Sequence, residues 1–296
     1  MDTVIVNEVG PRDGLQNDPT AVSPADRVQL INALVDAGVS AVEVASFVST
    51  KAVPKMSGAA DVVAGLDLSR ADFSALIPNQ RGYELAKNSQ IRSIAVVLSA
   101  TDTMNENNIN MDLTTALHIC EEIVSQARHD GLTARAYLSV AVECPYEGAV
   151  PAERVQMLAT RMFDAGADEV IVADTIGAAN PAQVKTMFSR LISDFGARNL
   201  SAHFHDTRAL ALANTWQALE CGIRKFDASI GGLGGCPFAP GAAGNLATED
   251  LVSMLEQAGF ETGIKLDALL EIVEQLSVLL KHEVGGRMQT WFQRRR

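Results

Sequence analysis

VIVNEVGPRDGLQN, residues Val4 to Asn17, opens as a β-rich run and breaks into a polar turn at Gly10-Pro11. A dinucleotide-binding open sheet would place GxGxxG directly behind such a first strand. Here the turn carries Arg12 and Asp13 instead, two charged groups that can do chemistry. Seven further β-rich runs follow: Ala41 to Val44, Phe73 to Ile77, Ile94 to Leu98, Ala134 to Val142, Glu169 to Val172, Leu200 to Phe204 and Lys225 to Ile230. Between them lie segments of helical spacing, such as Val28, Ile31, Ala33, Leu34 and Val35, or Val155, Leu158, Ala159, Met162 and Phe163. Ser23-Pro24 and Asn180-Pro181 put proline at a first helical position, where its missing N–H costs nothing.

Eight strand–helix alternations predict an α/β fold, the (β/α)8 TIM barrel, which typically takes ~250 residues. Polar residues of interest follow several different strands, which fits a barrel mouth better than the single crevice of a doubly wound sheet. The expectation is one catalytic barrel domain over residues 1–296, with 264–296 as a short C-terminal helical extension containing an amphipathic helix from Leu266 to Lys281. No linker marks a second domain. Cys144-Pro145-Tyr146 is read as the end of the fifth strand, and Trp216 and Trp291 as packing residues.

A formal charge of −12 argues against a nucleic-acid backbone as partner, the only basic run being Arg294 to Arg296. The four cysteines are scattered without a CxxC pair, so neither a zinc knuckle nor a thioredoxin-like dithiol is indicated. The N-terminus enters a strand within a few residues, and no apolar run approaches membrane-spanning length. A soluble, cytoplasmic protein without membrane contact is expected.

His203 and His205 flank Phe204, and the two-residue period of a strand turns both imidazoles to one face. Asp13 follows the first strand, while Glu43 and Ser46 end the second. In a barrel these strand ends converge on one mouth. A carboxylate, two imidazoles and an amide oxygen such as that of Asn245 form a set suited to Mg²⁺ or Mn²⁺. Taken singly, Asp13 also reads as a turn former and Arg12 as a surface residue paired to Glu43.

GGLGGCPFAPGAAGN, Gly231 to Asn245, has six glycines in fifteen residues around Cys236 and interrupts the strand–helix pattern. Glycine permits close backbone approach to a ligand, so a lid or binding loop is expected in preference to a slack linker.

The segments EVGPRDGLQN (Glu8 to Asn17), EVASFVSTKAVPKM (Glu43 to Met56), ADTIG (Ala173 to Gly177), HFHDT (His203 to Thr207) and GGLGGCPFAPGAAGNLATEDLV (Gly231 to Val252) resemble those of the hydroxymethylglutaryl-CoA lyase family. That family belongs to the metal-dependent lyases and aldolases of TIM-barrel fold. The resemblance implies divalent-metal ligation by Asp13, His203, His205 and Asn245, with one ion, Mg²⁺ or Mn²⁺, per subunit. It implies that Arg12 steadies the thioester oxygen, that Cys236 is needed for turnover, and that Glu43 and Asp174 support the site. The ordinary pKa values of a thiol and an imidazole make Cys236 or water the expected proton donor to the enolate, with His203 as ligand and relay. Gln16, Ser46 and Thr175 are expected to contact substrate beside Arg12.

The activity implied is retro-Claisen cleavage of 3-hydroxy-3-methylglutaryl-CoA to acetyl-CoA and acetoacetate, within leucine catabolism, by a homodimer. Alternatives are the same chemistry on citramalyl-CoA or a longer 3-hydroxyglutaryl-CoA, and a Claisen-condensing acyltransferase. Two departures bear on coenzyme A. Asp18-Pro19-Thr20 stands where the family often has a lysine, and Glu106-Asn107 where it has a basic pair. Lys51, Lys55, Arg81 and Arg208 are candidates to compensate.

Overall fold

The structure, a computed structural model, describes residues 2–235 and 244–294. Eight parallel strands close into a barrel: β1 (Ile5–Glu8), β2 (Ala41–Ser46), β3 (Asp72–Leu76), β4 (Ser93–Ser99), β5 (Thr133–Ser139), β6 (Glu169–Asp174), β7 (Leu200–Phe204) and β8 (Lys225–Ala228). Neighbours around the barrel are neighbours in the chain, and β8 closes onto β1 with Ile5 opposite Lys225 and Asn7 opposite Asp227. Each β-rich run of the sequence is therefore a barrel strand.

The fifth run corrects one expectation. Val140 adopts a φ of 49°, so β5 stops at Ser139, and Glu143–Cys144 pairs antiparallel with Gly148–Ala149. Cys144 thus belongs to a small hairpin beyond the barrel strand, because continuous apolarity does not record a backbone kink.

Helices follow the strands: α1 (Pro24–Asp36), α2 (Ala59–Ala64), α3 (Gln80–Asn88), α4 (Asp102–Ile109), α5 (Leu113–His129), α6 (Ala152–Ala165), α7 (Pro181–Phe195), α8 (Ala211–Glu220), α9 (Thr248–Gln257), α10 (Leu266–Leu280) and α11 (Arg287–Gln293). Their starts have local causes. At α7 the Asn180 side chain accepts from the N–H groups of Ala182 and Gln183 while the Gln183 side chain accepts the Asn180 N–H, a capping box ahead of Pro181. Helix α6 buries Val155, Leu158, Ala159 and Met162 of the stripe read from the sequence, and Phe163 is half-buried beside them. Each buried Val, Leu or Met side chain contributes about 1.5–3 kcal/mol of transfer free energy. Trp216 and Trp291, expected as packing residues, are 42% and 47% exposed, so each is covered over only part of its surface.

The barrel interior is separate from this outer core: Ala95, Tyr137 and Ile171 form their own cluster. At the N-terminal end of the strands Arg135 pairs with Asp72, and Lys225 with Glu169 at 2.7 Å. Those charges neutralise one another in a structural plug. The histidines and Asp13 lie at the opposite end.

Candidate active site

Behind β1 the chain tightens into one π-helical turn, Gly10–Gly14, in which the N–H groups of Arg12, Asp13 and Gly14 all point at the Val9 carbonyl. Such turns recur at functional sites because they re-aim side chains. This one buries Arg12, 6% exposed, and turns Asp13 toward the barrel axis. Arg12 is indeed paired to Glu43 through Nε, but it is no surface residue, and its Nη1 lies 2.6 Å from Asp13 Oδ1. Burial penalises the guanidinium, yet Glu43 and then Asp13 more than offset that and raise its pKa. Burial likewise works against the Asp13 carboxylate, and Arg12 followed by His203 and His205 overcomes it, lowering the pKa to about 2.

Along β7 and the residue just past it the alternation holds: Phe204 packs into the outer core while His203 and His205 face inward, ring centroids 5.2 Å apart. One ligand atom from each of Asp13, His203 and His205 fits within 4.8 Å of the others. Asn245 joins them, its backbone bridging to His205 and its Nδ2 donating to Asp13 Oδ2 at 2.7 Å and to Leu233 O at 3.0 Å. That leaves Asn245 Oδ1 buried without a partner among the described residues. A buried amide oxygen without a donor is costly unless something electropositive meets it. Carboxylate, two imidazoles and this oxygen fit a divalent ion of the Mg²⁺ or Mn²⁺ kind.

Two glycines allow the close packing around Asn245. A Cβ at Gly234 (φ 96°) would come within 2.6 Å of Asn245 Nδ2, and one at Gly244 within 1.8 Å of Gly232 O. The two ends of the glycine-rich loop therefore touch backbone to backbone beside the ligand cluster. Cys236, expected to move a proton, and the lid expected around it lie outside the described residues.

The cluster opens into a cavity of about 210 Å³. Gln16, Ser46 and Thr175, the expected substrate contacts, all line it together with Arg12, and Val48, Val53, Pro78, Met104 and Ile109 supply an apolar wall. Glu43 and Asp174 do not line it. Glu43 holds Arg12, and both oxygens of Asp174 accept backbone N–H groups, from Ala178 and Ala179 at 2.9 Å each, shaping the turn before α7. Asp18 is buried, accepts the Thr20 N–H and lies 2.9 Å from His282 Nε2, so it ties the first loop to the C-terminal segment.

Sequence reasoning missed Asp227, Tyr137 and Asn7. Asn7 and Tyr137 both donate to Asp227 inside the barrel, and Asp227 in turn lies 3.0 Å from His203 Nδ1. The cue was a lone carboxylate in the otherwise apolar end of β8, at the strand position level with Asn7 and His203. Burial disfavours the charged imidazole of His203, and Asp227 followed by Asp13 reverses that, raising its pKa.

Beneath the root of the glycine-rich loop lie two buried carboxyls. Glu8 accepts from the N–H groups of Gly10 and Ile230 and from the Thr248 hydroxyl, and Glu249 from those of Gly231 and Gly286. Burial dominates for both and raises each to about 7 despite these bonds. A carboxyl whose folded pKa is raised supports the fold fully below its unfolded value, near 4.5, and loses that support as pH rises through 7. Glu8→Gln copies the neutral form. Its melting temperature is expected to fall less than that of the wild type between pH 4.5 and pH 7. Parallel curves for the two proteins in a thermal melt series would show Glu8 to be ionised throughout.

Fold and site together define a class: (β/α)8 barrels that carry a candidate divalent-ion cluster at the C-terminal mouth. Comparison with known proteins narrows it. The HMGL-like family model matches residues 3–276, and the chain belongs to that family. It is 48% identical over 268 residues to a hydroxymethylglutaryl-CoA lyase of Bacillus subtilis, covering 90% of each chain. It is 41% identical over 292 residues to an (R)-citramalyl-CoA lyase of Chloroflexus aurantiacus, covering 95% of this chain and 92% of the relative. A crystal structure of the Bacillus subtilis HMG-CoA lyase superposes with a TM-score of 0.95 at 44% identity, covering 99% of both chains. An HMG-CoA lyase from Acinetobacter baumannii in complex with coenzyme A and 3-methylmalate gives 0.94 at 39% identity, covering 98% of this chain and 95% of that one. Among the described residues no helix is long and apolar enough to cross a membrane.

Proposed function

We propose that this chain is a divalent-metal-dependent carbon–carbon lyase that cleaves 3-hydroxy-3-methylglutaryl-CoA to acetyl-CoA and acetoacetate. The observation that carries the reading is the meeting of Asp13, His203 and His205 beside buried Arg12 at the wall of one cavity. Membership of the HMGL-like family supports the substrate.

Retro-Claisen cleavage passes the C3 hydroxyl proton to a base in the cavity, breaks the C2–C3 bond and protonates the resulting thioester enolate. Asp13, His203, His205 and Asn245 would hold the ion, which when bound polarises the hydroxyl and makes its proton easier to lose. Arg12 is fixed by Glu43 and Asp13 before substrate arrives, so its charge meets the developing enolate oxygen without reorganisation. Gln16, Ser46 and Thr175 orient the acyl group from the cavity rim. The apolar wall excludes water from the enolate until a proton donor delivers. Cys236 is the donor in this reading, since a thiol of ordinary pKa near ~8.5 is still protonated at neutral pH.

Coenzyme A phosphates would find Lys51, Lys55 and Arg81, which sit on the segments whose Val48, Val53 and Pro78 line the cavity. Arg208 already pairs with Glu143 at 3.5 Å. The reading takes 2–294 as one catalytic unit, since α10 packs on α1 and α9, and α11 on α9 and α10. It extends to a cytoplasmic homodimer serving leucine breakdown, supported by the family resemblance.

The (R)-citramalyl-CoA lyase relative makes a second substrate worth direct comparison. Purified protein with Mg²⁺ is offered 3-hydroxy-3-methylglutaryl-CoA, citramalyl-CoA, or a 2-oxo acid plus acetyl-CoA. The highest kcat/KM is expected for the first. Faster release of pyruvate from citramalyl-CoA would reassign the substrate, and net condensation in the third arm would reassign the reaction.

A further inference from the structure

Asp227 stands at the centre of a hydrogen-bond set inside the barrel that none of the steps above uses. Its Oδ1 accepts from Asn7 Nδ2 at 2.8 Å. Its Oδ2 accepts the Tyr137 hydroxyl at 2.8 Å and lies 3.0 Å from His203 Nδ1. Asn7, Asp227 and His203 are paired in register across β1, β8 and β7, so the barrel itself sets this level. All four side chains are buried. Asn7 and Tyr137 both donate to Asp227, the pattern of a carboxylate that only accepts, and Nδ1 of His203 must then carry a hydrogen to bond it.

The opposite ring nitrogen is the one left for the cluster with Asp13 and His205. We infer that Asp227 is the positioning residue of this site: it holds the Nδ1–H of His203, fixes the ring so that Nε2 serves the divalent ion, and shares its oxygen with Tyr137. Because Tyr137 also lines the cavity, the orientation of His203 is tied mechanically to the substrate wall. Both ring nitrogens are engaged in this arrangement, so His203 holds the ion and the proton steps pass to another group. The inference rests on His203 as a ligand, though the Asp227–His203 bond stands without it.

Nitrogen-15 and proton NMR of histidine-labelled protein, with and without Mg²⁺, tests it, His203→Gln assigning the signal. The wild type is expected to show a downfield His203 Nδ1–H resonance protected from solvent exchange. Asp227→Ala is expected to lose it, and to bind Mn²⁺, read by electron paramagnetic resonance, about 10–100-fold more weakly. Tyr137→Phe removes one hydroxyl and keeps the ring, so it preserves the fold should Asp227→Ala fail to fold. Its Nδ1–H resonance is expected further downfield, Oδ2 now serving one donor, with Mn²⁺ affinity unchanged.

A protected resonance that survives in Asp227→Ala, wild-type Mn²⁺ affinity in that variant, or an unmoved resonance in Tyr137→Phe would overturn the assignment. A wild type with the expected resonances and no lyase activity would instead overturn the reaction and leave Asp227 in its role.

Discussion

Asp13→Ala is expected to abolish tight divalent-ion binding and cleavage together. Asp13 is the one carboxylate in the cluster with His203 and His205, so it supplies the negative charge that a hard dication needs. It also anchors two neighbours, Arg12 through Oδ1 and Asn245 through Oδ2, at 2.6 and 2.7 Å. Removal therefore withdraws a ligand, frees the Asn245 amide and loosens the guanidinium in one change. Mn²⁺ affinity should fall by more than the roughly 10–100-fold typical of losing a partner of a ligand. If the ion supplies about 4 kcal/mol of transition-state stabilisation, turnover falls on the order of 10³-fold. Titration calorimetry with Mn²⁺ and an acetoacetate assay on the same preparation check both. Wild-type affinity with lost turnover would make Asp13 a reacting group and remove it from the ligand set.

Arg12→Gln separates charge from metal. Arg12 touches Asp13 without belonging to the ligand cluster, so kcat and kcat/KM should fall together by about 10²–10³ while much of the Mn²⁺ affinity stays. A stability effect accompanies this. Glu43 is 1% exposed, and its Oε1 binds Arg12 while its Oε2 has no partner among the described residues. Taking away Arg12 strands a buried carboxylate, a change that typically costs about 3–5 kcal/mol. The double variant Arg12→Gln/Glu43→Gln should recover most of that stability and none of the turnover. Recovery of turnover in the double variant would mean that Arg12 acts only by neutralising Glu43.

Much of this arrangement was legible in the sequence because barrels turn local patterns into global position. Eight β-rich runs separated by amphipathic stretches admit few closures, and the polar residues behind them must then share one mouth. The HxH pair was readable for the same reason, since strand alternation alone puts His203 and His205 on one face. Asp227 was not. A strand gives the parity of a residue but not which of eight neighbours it meets across the interior, and its partner Tyr137 lies 90 residues away.

Glu8 and Glu249 were hidden similarly, since their burial depends on Gly231, Thr248 and Gly286 arriving from the C-terminal side. Cys144 shows the opposite error: apolarity ran past the point where Val140 turns the chain away. In the sequence Asp18 reads only as a missing cation near coenzyme A, whereas its bonds to Thr20 and His282 give it a structural task that no local pattern announces.

On the proposed reading, one divalent ion held at Asp13, His203 and His205 makes this barrel a lyase. Protein stripped with a chelator and then titrated with Mg²⁺ at fixed 3-hydroxy-3-methylglutaryl-CoA tests it most directly, with acetoacetate as the readout. The expected result is no acetoacetate from the stripped protein, a saturable return of activity approaching one equivalent of bound ion, and no return in His205→Ala. Acetoacetate formed at an undiminished rate by the stripped protein would contradict it.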